Sequence, residues 1–253
     1  MDQGRSLSVF VPAHNEVMNL DGAIQDIVGA AAEAFADYEI LLVDDGSTDG
    51  TAGVAARLAH ENRRITVISN ETRRGVSASC GIALSRATKR YFVFIPGDRE
   101  VNPASIKAMF EVVGSAPLVV CYHRNREARP WHRRAMTAVC TTLVNTLLQR
   151  RLRYYQGPVV YPTELARQLP ATTTGFFFLT EMLAHALDRG YGYVELGLVH
   201  EERAFGKSKA VTLSNILMAL NTILRLWWVL RIRRLWSAGR RSRLANPRAE
   251  EMP

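Results

Sequence analysis

The sequence predicts an α/β fold, a mostly parallel sheet with flanking helices, and two observations lead there. Apolar runs of strand length at residues 7–11, 38–43, 65–69 and 91–95 alternate with helical patterns at residues 20–35, 51–61 and 76–88. Such alternation is how a chain builds neighbouring strands joined by crossover helices. At 253 residues and 47% hydrophobic, the chain is also long enough to bury one substantial core without a second domain.

Taken in order, the first run (LSVFV) ends at Pro12-Ala13-His14-Asn15-Glu16 and the second (ILLV at its close) at Asp44-Asp45-Gly46-Ser47. The run at 91–95 (YFVFI) leads through Pro96 into Gly97-Asp98-Arg99-Glu100, and Asn102-Pro103 then supplies a helix cap and first turn. In a parallel sheet these polar motifs meet at the carboxyl edge of the strands, where ligands bind. Carboxylates placed there repeatedly point to a metal or to the donor groups of a ribose and base, because a buried carboxylate is costly unless paired or coordinated. A fourth segment, Arg203-Ala204-Phe205-Gly206-Lys207-Ser208-Lys209, is basic and carries a glycine.

The remaining features bound the setting. Cys80, Cys121 and Cys140 lie far apart without metal-ligand spacing and read as small thiols in a reducing compartment. The start passes almost directly into a strand with no charged and apolar leader, so cytosolic synthesis is expected. The net charge of +8 is uneven: no acid stands between Glu202 and Glu250, while arginines gather from Arg225 to Arg248. That block follows an apolar helical stripe (Leu213, Ile216, Leu217, Leu220, Ile223, Leu224, Trp227, Leu230) and no nucleic-acid fold motif accompanies it. Asn215, Asn221 and Arg225 interrupt the stripe, which favours a helix lying on an anionic membrane surface over one crossing it. Packing on the catalytic domain, or on a second copy of the chain, is the alternative, and the two are compatible.

In this order the four segments resemble the GT-A, or Rossmann-like, glycosyltransferases of family 2, and within them the dolichol-phosphate mannose synthase-like group that glycosylates polyprenyl phosphates. The likeness runs from about Leu7 to about Leu226. It implies a catalytic domain over residues 1–210, a membrane-associating amphipathic helix over 211–236 and a basic, unstructured tail over 237–253. It also implies a nucleotide-sugar donor, UDP- or GDP-linked, held by Pro12, Ala13, His14, Glu16, Asp44 and Asp45, with Gly75 in a loop near the nucleobase. His14 either touches the nucleotide or is a satisfied turn residue, and Arg74 either meets a phosphate or stays solvated.

The third segment departs from the pattern. Where the group carries Asp-x-Asp-x-Gln, Pro96 replaces the first carboxylate, Asp98 falls on the position that touches the metal, and Glu100 falls on the glutamine. The resemblance then implies Mg2+ or Mn2+ held by Asp98 and Glu100 beside Gly97, with the donor phosphates and water completing the shell and poor affinity without nucleotide. Arg203, Ser208 and Lys209 belong to the loop that closes on the diphosphate and offsets charge on the leaving group.

On the acceptor side, Arg133 and Arg134 are placed to bind a phosphate by bidentate contacts or to form a solvated basic loop, and Tyr155 falls in a segment that lines the acceptor. Glu181 is either an acceptor-side base or a structural partner of a nearby arginine. The implied reaction is one inverting displacement at the sugar's anomeric carbon. A polyprenyl phosphate oxygen is already ionised and needs no strong base; a hydroxyl acceptor needs one, from Asp98, Glu100 or Glu181. Pro96 also admits a protein that binds nucleotide-sugars without turning them over. The expected location is the cytoplasmic face of a membrane, as a peripheral protein.

Overall fold

A computed structural model describes residues 4–125, 127, 130–201 and 213–232 of the chain. Strand and helix alternate from the start: β1 (Ser6–Ala13), α1 (Leu20–Ala34), β2 (Asp37–Asp45), α2 (Thr51–Glu61), β3 (Ile65–Asn70), α3 (Val76–Arg86), β4 (Tyr91–Phe94), α4 (Pro103–Glu111) and β5 (Leu118–His123). There follow α5 (Trp131–Leu148), β6 (Val159–Pro162), α6 (Thr163–Arg167), α7 (Phe177–Asp188), β7 (Tyr193–Leu198) and α8 (Leu213–Trp227). The last helix runs on as a π-helical turn, Trp228–Ile232.

The strands form one sheet in the order β3-β2-β1-β4-β6-β5-β7. β1 is parallel to β2 and β4, β2 to β3, and β5 to β7, whereas β6 runs antiparallel to both β4 and β5. Two reversals in succession leave β5 and β7 in the direction of β1, so the carboxyl ends of β1, β2, β4, β5 and β7 share one edge. Alternate residues of β1 feed two cores. Leu7, Val9 and Val11 pack with Ile24 and Ile27 of α1 and Phe110, while Phe10 packs with Phe92, Phe94 and Phe178 on the opposite face. A sheet covered on both faces needs apolar side chains at successive positions, which is why LSVFV and YFVFI read as continuous runs.

The expected helices and strands of the first hundred residues occur within two residues of their expected ends, the usual fraying of element boundaries. Asn102 caps α4 through its side-chain oxygen, which accepts from the Ala104 N–H at 2.9 Å, with Pro103 in the first turn. α5 starts at Trp131, earlier than the amphipathic pattern at 136–148 indicated. Cys80 and Cys121 are buried free thiols, and burial pushes the Cys80 thiol up to about 12.

α8 lies on α7 and α5. Leu226 and Leu230 are buried with Leu147 of α5 and Ala184 of α7, and Thr222 is buried beside them. Leu220, Leu224, Trp227 and Trp228 remain exposed. Both alternatives for the apolar stripe therefore have a face: one side packs on the domain and the other is left open. Among the described residues no helix is long and apolar enough to cross a membrane. The boundary at residues 210–211 and the tail at 237–253 lie outside the described residues.

Candidate active site

Because β2, β1 and β4 are adjacent, the motifs that follow them gather at one place on the carboxyl edge. Asp45, the last residue of β2, is buried and accepts three hydrogen bonds. Oδ1 takes the Arg74 N–H at 2.8 Å and the Asn70 amide at 2.9 Å, and Oδ2 takes the Gly75 N–H at 2.8 Å. Asn70 is the register partner of Asp45 across β2 and β3, so the pairing of the strands itself delivers one donor. Burial alone would raise this carboxyl, but the Arg74 N–H, the Asn70 amide, the Gly75 N–H and the charge of His14 hold it below the ordinary carboxylate value. Asp45 is thus an ionised anchor that fixes the loop at 73–75. The turn after Asp45 requires Gly46, with φ +68°, since a Cβ there would lie 2.6 Å from the Arg73 nitrogen.

The segment after β1 is laced to the turn after β2. His14 donates from Nδ1 to the Asp45 carbonyl at 2.9 Å, because a carbonyl can only accept. Asn15, in the left-handed region at φ 57°, accepts from the Thr48 N–H at 2.8 Å and donates its own N–H to Ser47 Oγ at 3.0 Å. The Glu16 N–H donates to Thr51 Oγ1 at 2.9 Å, and Glu16 Oε2 accepts from Asn19 at 2.7 Å. Asp44 is buried and takes the Ser47 N–H at 3.2 Å. Asp49 takes the hydroxyl of Thr51 at 2.5 Å, its N–H at 3.1 Å and the Val17 N–H at 3.3 Å; burial opposes its ionisation and these bonds outweigh it. Pro12 and Ala13 lie in the last residues of β1, half-buried and buried respectively.

Asp98 sits past β4, 6% exposed, its Oδ1 accepting the Glu100 N–H at 3.2 Å. Gly97 lets this loop lie against β1: its N–H donates to the Pro12 carbonyl at 3.2 Å, and a Cβ would come within 3.0 Å of that oxygen. Pro12 is thereby joined to the acidic segment. Asp98 and Glu100 are hard oxygen donors of the kind Mg2+ and Mn2+ prefer. Among the described residues no group of three such ligands comes together, so the donor set fits a cation that takes its remaining ligands from donor phosphates and water.

The acceptor-side candidates are placed less uniformly. Arg134 is exposed on the first turns of α5; Arg133 falls beside it, and its side chain lies outside the described residues, as do Arg203, Ser208 and Lys209. Tyr155 is buried and donates from its hydroxyl to Asn145 Oδ1 at 2.8 Å, and burial raises its pKa, so it props α5 from beneath. Glu181, 2% exposed, is filled by the N–H groups of Thr172 at 2.8 Å and Thr173 at 2.9 Å and by both their hydroxyls, with Arg225 of α8 at 3.5 Å. That is the surrounding of a structural partner rather than of a base. Sequence reading also missed a pair at the ends of β5 and β7: His123 and His200 stand with their Nδ1 atoms 2.8 Å apart, sharing one proton. The signal was absent because neither strand had been assigned.

Fold and site together define a GT-A transferase domain, in which acidic motifs gather at the carboxyl edge of the sheet. The chain belongs to glycosyl transferase family 2, whose pattern matches residues 8–170. It is 27% identical over 237 residues to an undecaprenyl-phosphate 4-deoxy-4-formamido-L-arabinose transferase of Sodalis glossinidius, covering 86% of this chain and 67% of that one. It is 28% identical over 241 residues to the glycosyltransferase AglD of Haloferax volcanii, covering 91% of this chain and 38% of the relative. Among solved structures, glucosyl-3-phosphoglycerate synthase of Mycobacterium tuberculosis, crystallised with Mn2+, UDP and phosphoglyceric acid, superposes with a TM-score of 0.70 at 20% identity over 88% of this chain and 79% of that chain. A second crystal of that synthase, with Mg2+ and UDP, gives 0.68 at 19% over the same shares. At such identity the structural likeness speaks for the fold alone.

Proposed function

We propose that this family 2 glycosyltransferase moves a sugar from a UDP- or GDP-sugar to a polyprenyl phosphate at a membrane surface. The observation that carries the donor half is the convergence of Asp45, with its loop at 73–75, and Asp98 on one sheet edge. Asp45 and Glu16 bind ribose and base, and Pro12, Ala13 and His14 line them. Arg203, Ser208 and Lys209 close on the diphosphate. A bound Mg2+ or Mn2+ supplies charge neutralisation at the diphosphate, with Asp98 and Glu100 as its protein ligands. The acceptor phosphate oxygen displaces nucleoside diphosphate at the anomeric carbon in one inverting step, and since that oxygen is ionised at neutral pH, positioning and electrostatics suffice. This agrees with a Glu181 carboxylate already occupied by Thr172 and Thr173.

The lipid acceptor draws support from the open face of α8, the arginines beyond it, and relatives that include an undecaprenyl-phosphate transferase. Arg133 and Arg134 receive the acceptor's phosphate. The test is a thermal-shift panel of UDP- and GDP-sugars with and without Mg2+ or Mn2+, followed by transfer from the stabilising donor to undecaprenyl phosphate in detergent. A metal-dependent shift with one nucleotide and labelled lipid product is expected. Nucleotide binding without transfer to any acceptor points to a degenerate enzyme. A second reading, transfer to a small hydroxyl acceptor, is favoured by the phosphoglycerate-using structural neighbour; it predicts product with soluble acceptors and none with the lipid.

A further inference from the structure

We propose that Arg99 and Asp26 form a clasp that positions Asp98, holding the acidic loop from α1 in a chain whose first carboxylate has become Pro96. The proposal rests on the reading of Asp98 as the residue nearest the donor's diphosphate and cation. Arg99 stands in the left-handed region at φ 58°, a conformation that glycine accepts freely and a long side chain does not. Some interaction must therefore hold it there. Its guanidinium turns back onto α1, with Nε 2.7 Å and Nη2 3.4 Å from the two carboxylate oxygens of Asp26. The Asp26 side chain is 15% exposed, against 51% for Arg99, so the carboxylate is a largely enclosed socket for a side chain reaching in from the surface.

The seat is shaped for it. A Cβ on Gly22, one turn before Asp26, would lie 2.7 Å from Arg99 Nη1 and 2.9 Å from its Cζ, so the guanidinium lies directly on the bare backbone of the helix. The loop is also tied at its two ends, by the Gly97 N–H to the Pro12 carbonyl at 3.2 Å and by the Glu100 carbonyl to the Glu201 N–H at 2.8 Å, and within it Asp98 Oδ1 accepts the Glu100 N–H at 3.2 Å. Between those ties Asp98 carries the functional carboxylate and Arg99 carries the anchor. If residue 99 relaxed to an ordinary φ, the peptide planes on either side would rotate and carry Asp98 and the Glu100 N–H with them. Arg99 and Asp26 are accordingly positioning residues, remote from any reacting atom.

The experiment compares Asp26→Asn, Arg99→Ala, Arg99→Gly and the Asp26→Asn/Arg99→Ala double variant in the full chain. Two readouts are used: amide exchange at Gly97 and Glu100 without ligand, and binding of UDP and GDP with Mn2+ by calorimetry. Asp26→Asn and Arg99→Ala should each weaken Mn2+-dependent nucleotide binding about three- to fivefold, the size of one well-made exposed ion pair, and speed exchange at Glu100 by a similar factor. The double variant should be no worse than Arg99→Ala, because both changes remove the same interaction. Arg99→Gly should recover most of the affinity lost in Arg99→Ala, a rescue that a merely structural ion pair does not produce, since glycine accepts the backbone without an anchor. Unchanged exchange and affinity in the single variants, or losses that add in the double, would overturn the clasp. A wild-type protein that binds neither nucleotide, but in which Asp26→Asn still speeds exchange at Glu100, would overturn the donor-site reading and leave the clasp standing.

Discussion

The environment of Asp45 sets a pH dependence with a definite sign. Its folded pKa lies below the ordinary 3.8, since the N–H groups of Arg74 and Gly75 and the Asn70 amide outweigh the cost of burial. A carboxyl depressed on folding adds stability above its unfolded pKa, and that stability is lost as pH falls below 3.8 through the folded value. Asp45→Asn keeps one acceptor oxygen but sets its NH2 against the backbone N–H of either Arg74 or Gly75, which then has no acceptor, at a cost of about 1–3 kcal/mol. Urea unfolding at pH 7 should show that loss, and the gap from wild type should narrow at pH 3, below the ordinary 3.8, where the unfolded chain takes up the proton and the advantage of the ionised native carboxyl shrinks. A constant gap at both pH values would mean that shape rather than charge is what the variant loses. Nucleotide affinity should fall with it, because the loop at 73–75 loses the anchor that holds Gly75 beside β2.

At the scale of elements, Glu181 joins α7 to α8 beside the apolar packing of Ala184 with Leu226 and Leu230. Glu181 closes the loop before α7 by accepting from Thr172 and Thr173 and lies 3.5 Å from Arg225 of α8. Glu181→Gln presents an amide NH2 where the loop presents N–H groups, so stability should drop by about 1–3 kcal/mol. Turnover on a lipid phosphate should stay within about threefold of wild type per folded molecule, a barrier change under 1 kcal/mol, since no proton has to be removed from that acceptor. A loss of a thousandfold with an intact fold would restore Glu181 as the base. How much of this was legible beforehand depends on the kind of element. β1, β2 and β4 announced themselves because a sheet covered on both faces demands unbroken apolar runs, and each ended in a motif whose chemistry was readable. β6 runs antiparallel and so breaks the regular alternation of parallel strand and helix, and β5 and β7, six residues each, end in His123 and near His200 without a motif of readable chemistry. Asn70 and Asp26 were invisible for another reason. Each acts through a register or helix face that exists only once the sheet is assembled.

For the whole molecule, the question is whether the open face of α8 meets a membrane, and the packing dictates how to ask it. Deleting everything beyond residue 212 would remove Leu226 and Leu230 from Leu147 and Ala184 and take Arg225 from Glu181, so lost activity could follow from a damaged domain. The exposed residues separate the two effects. Leu220, Leu224 and Trp227 lie three and four residues apart on the outward side, 47%, 65% and 49% exposed, while the inward side is made by Thr222, Leu226 and Leu230. A Leu220→Ser/Leu224→Ser/Trp227→Ser variant leaves every inward contact in place. On a membrane those three side chains would bury apolar surface at the headgroup boundary, and nearby arginines would each add about 1 kcal/mol on anionic lipid. Cosedimentation with anionic vesicles should therefore weaken about tenfold or more in the variant and fall further with salt, for three lost apolar anchors. Affinity for nucleotide should stay within about twofold of wild type, below half a kcal/mol, because the three substituted side chains are exposed and α8 packs on α7 and α5. Transfer to undecaprenyl phosphate in vesicles should drop in step with vesicle binding and return when the acceptor is short and presented in detergent. Vesicle binding that survives the triple substitution would assign the face to another copy of the chain, and the same protein should then run as a dimer that the variant dissociates.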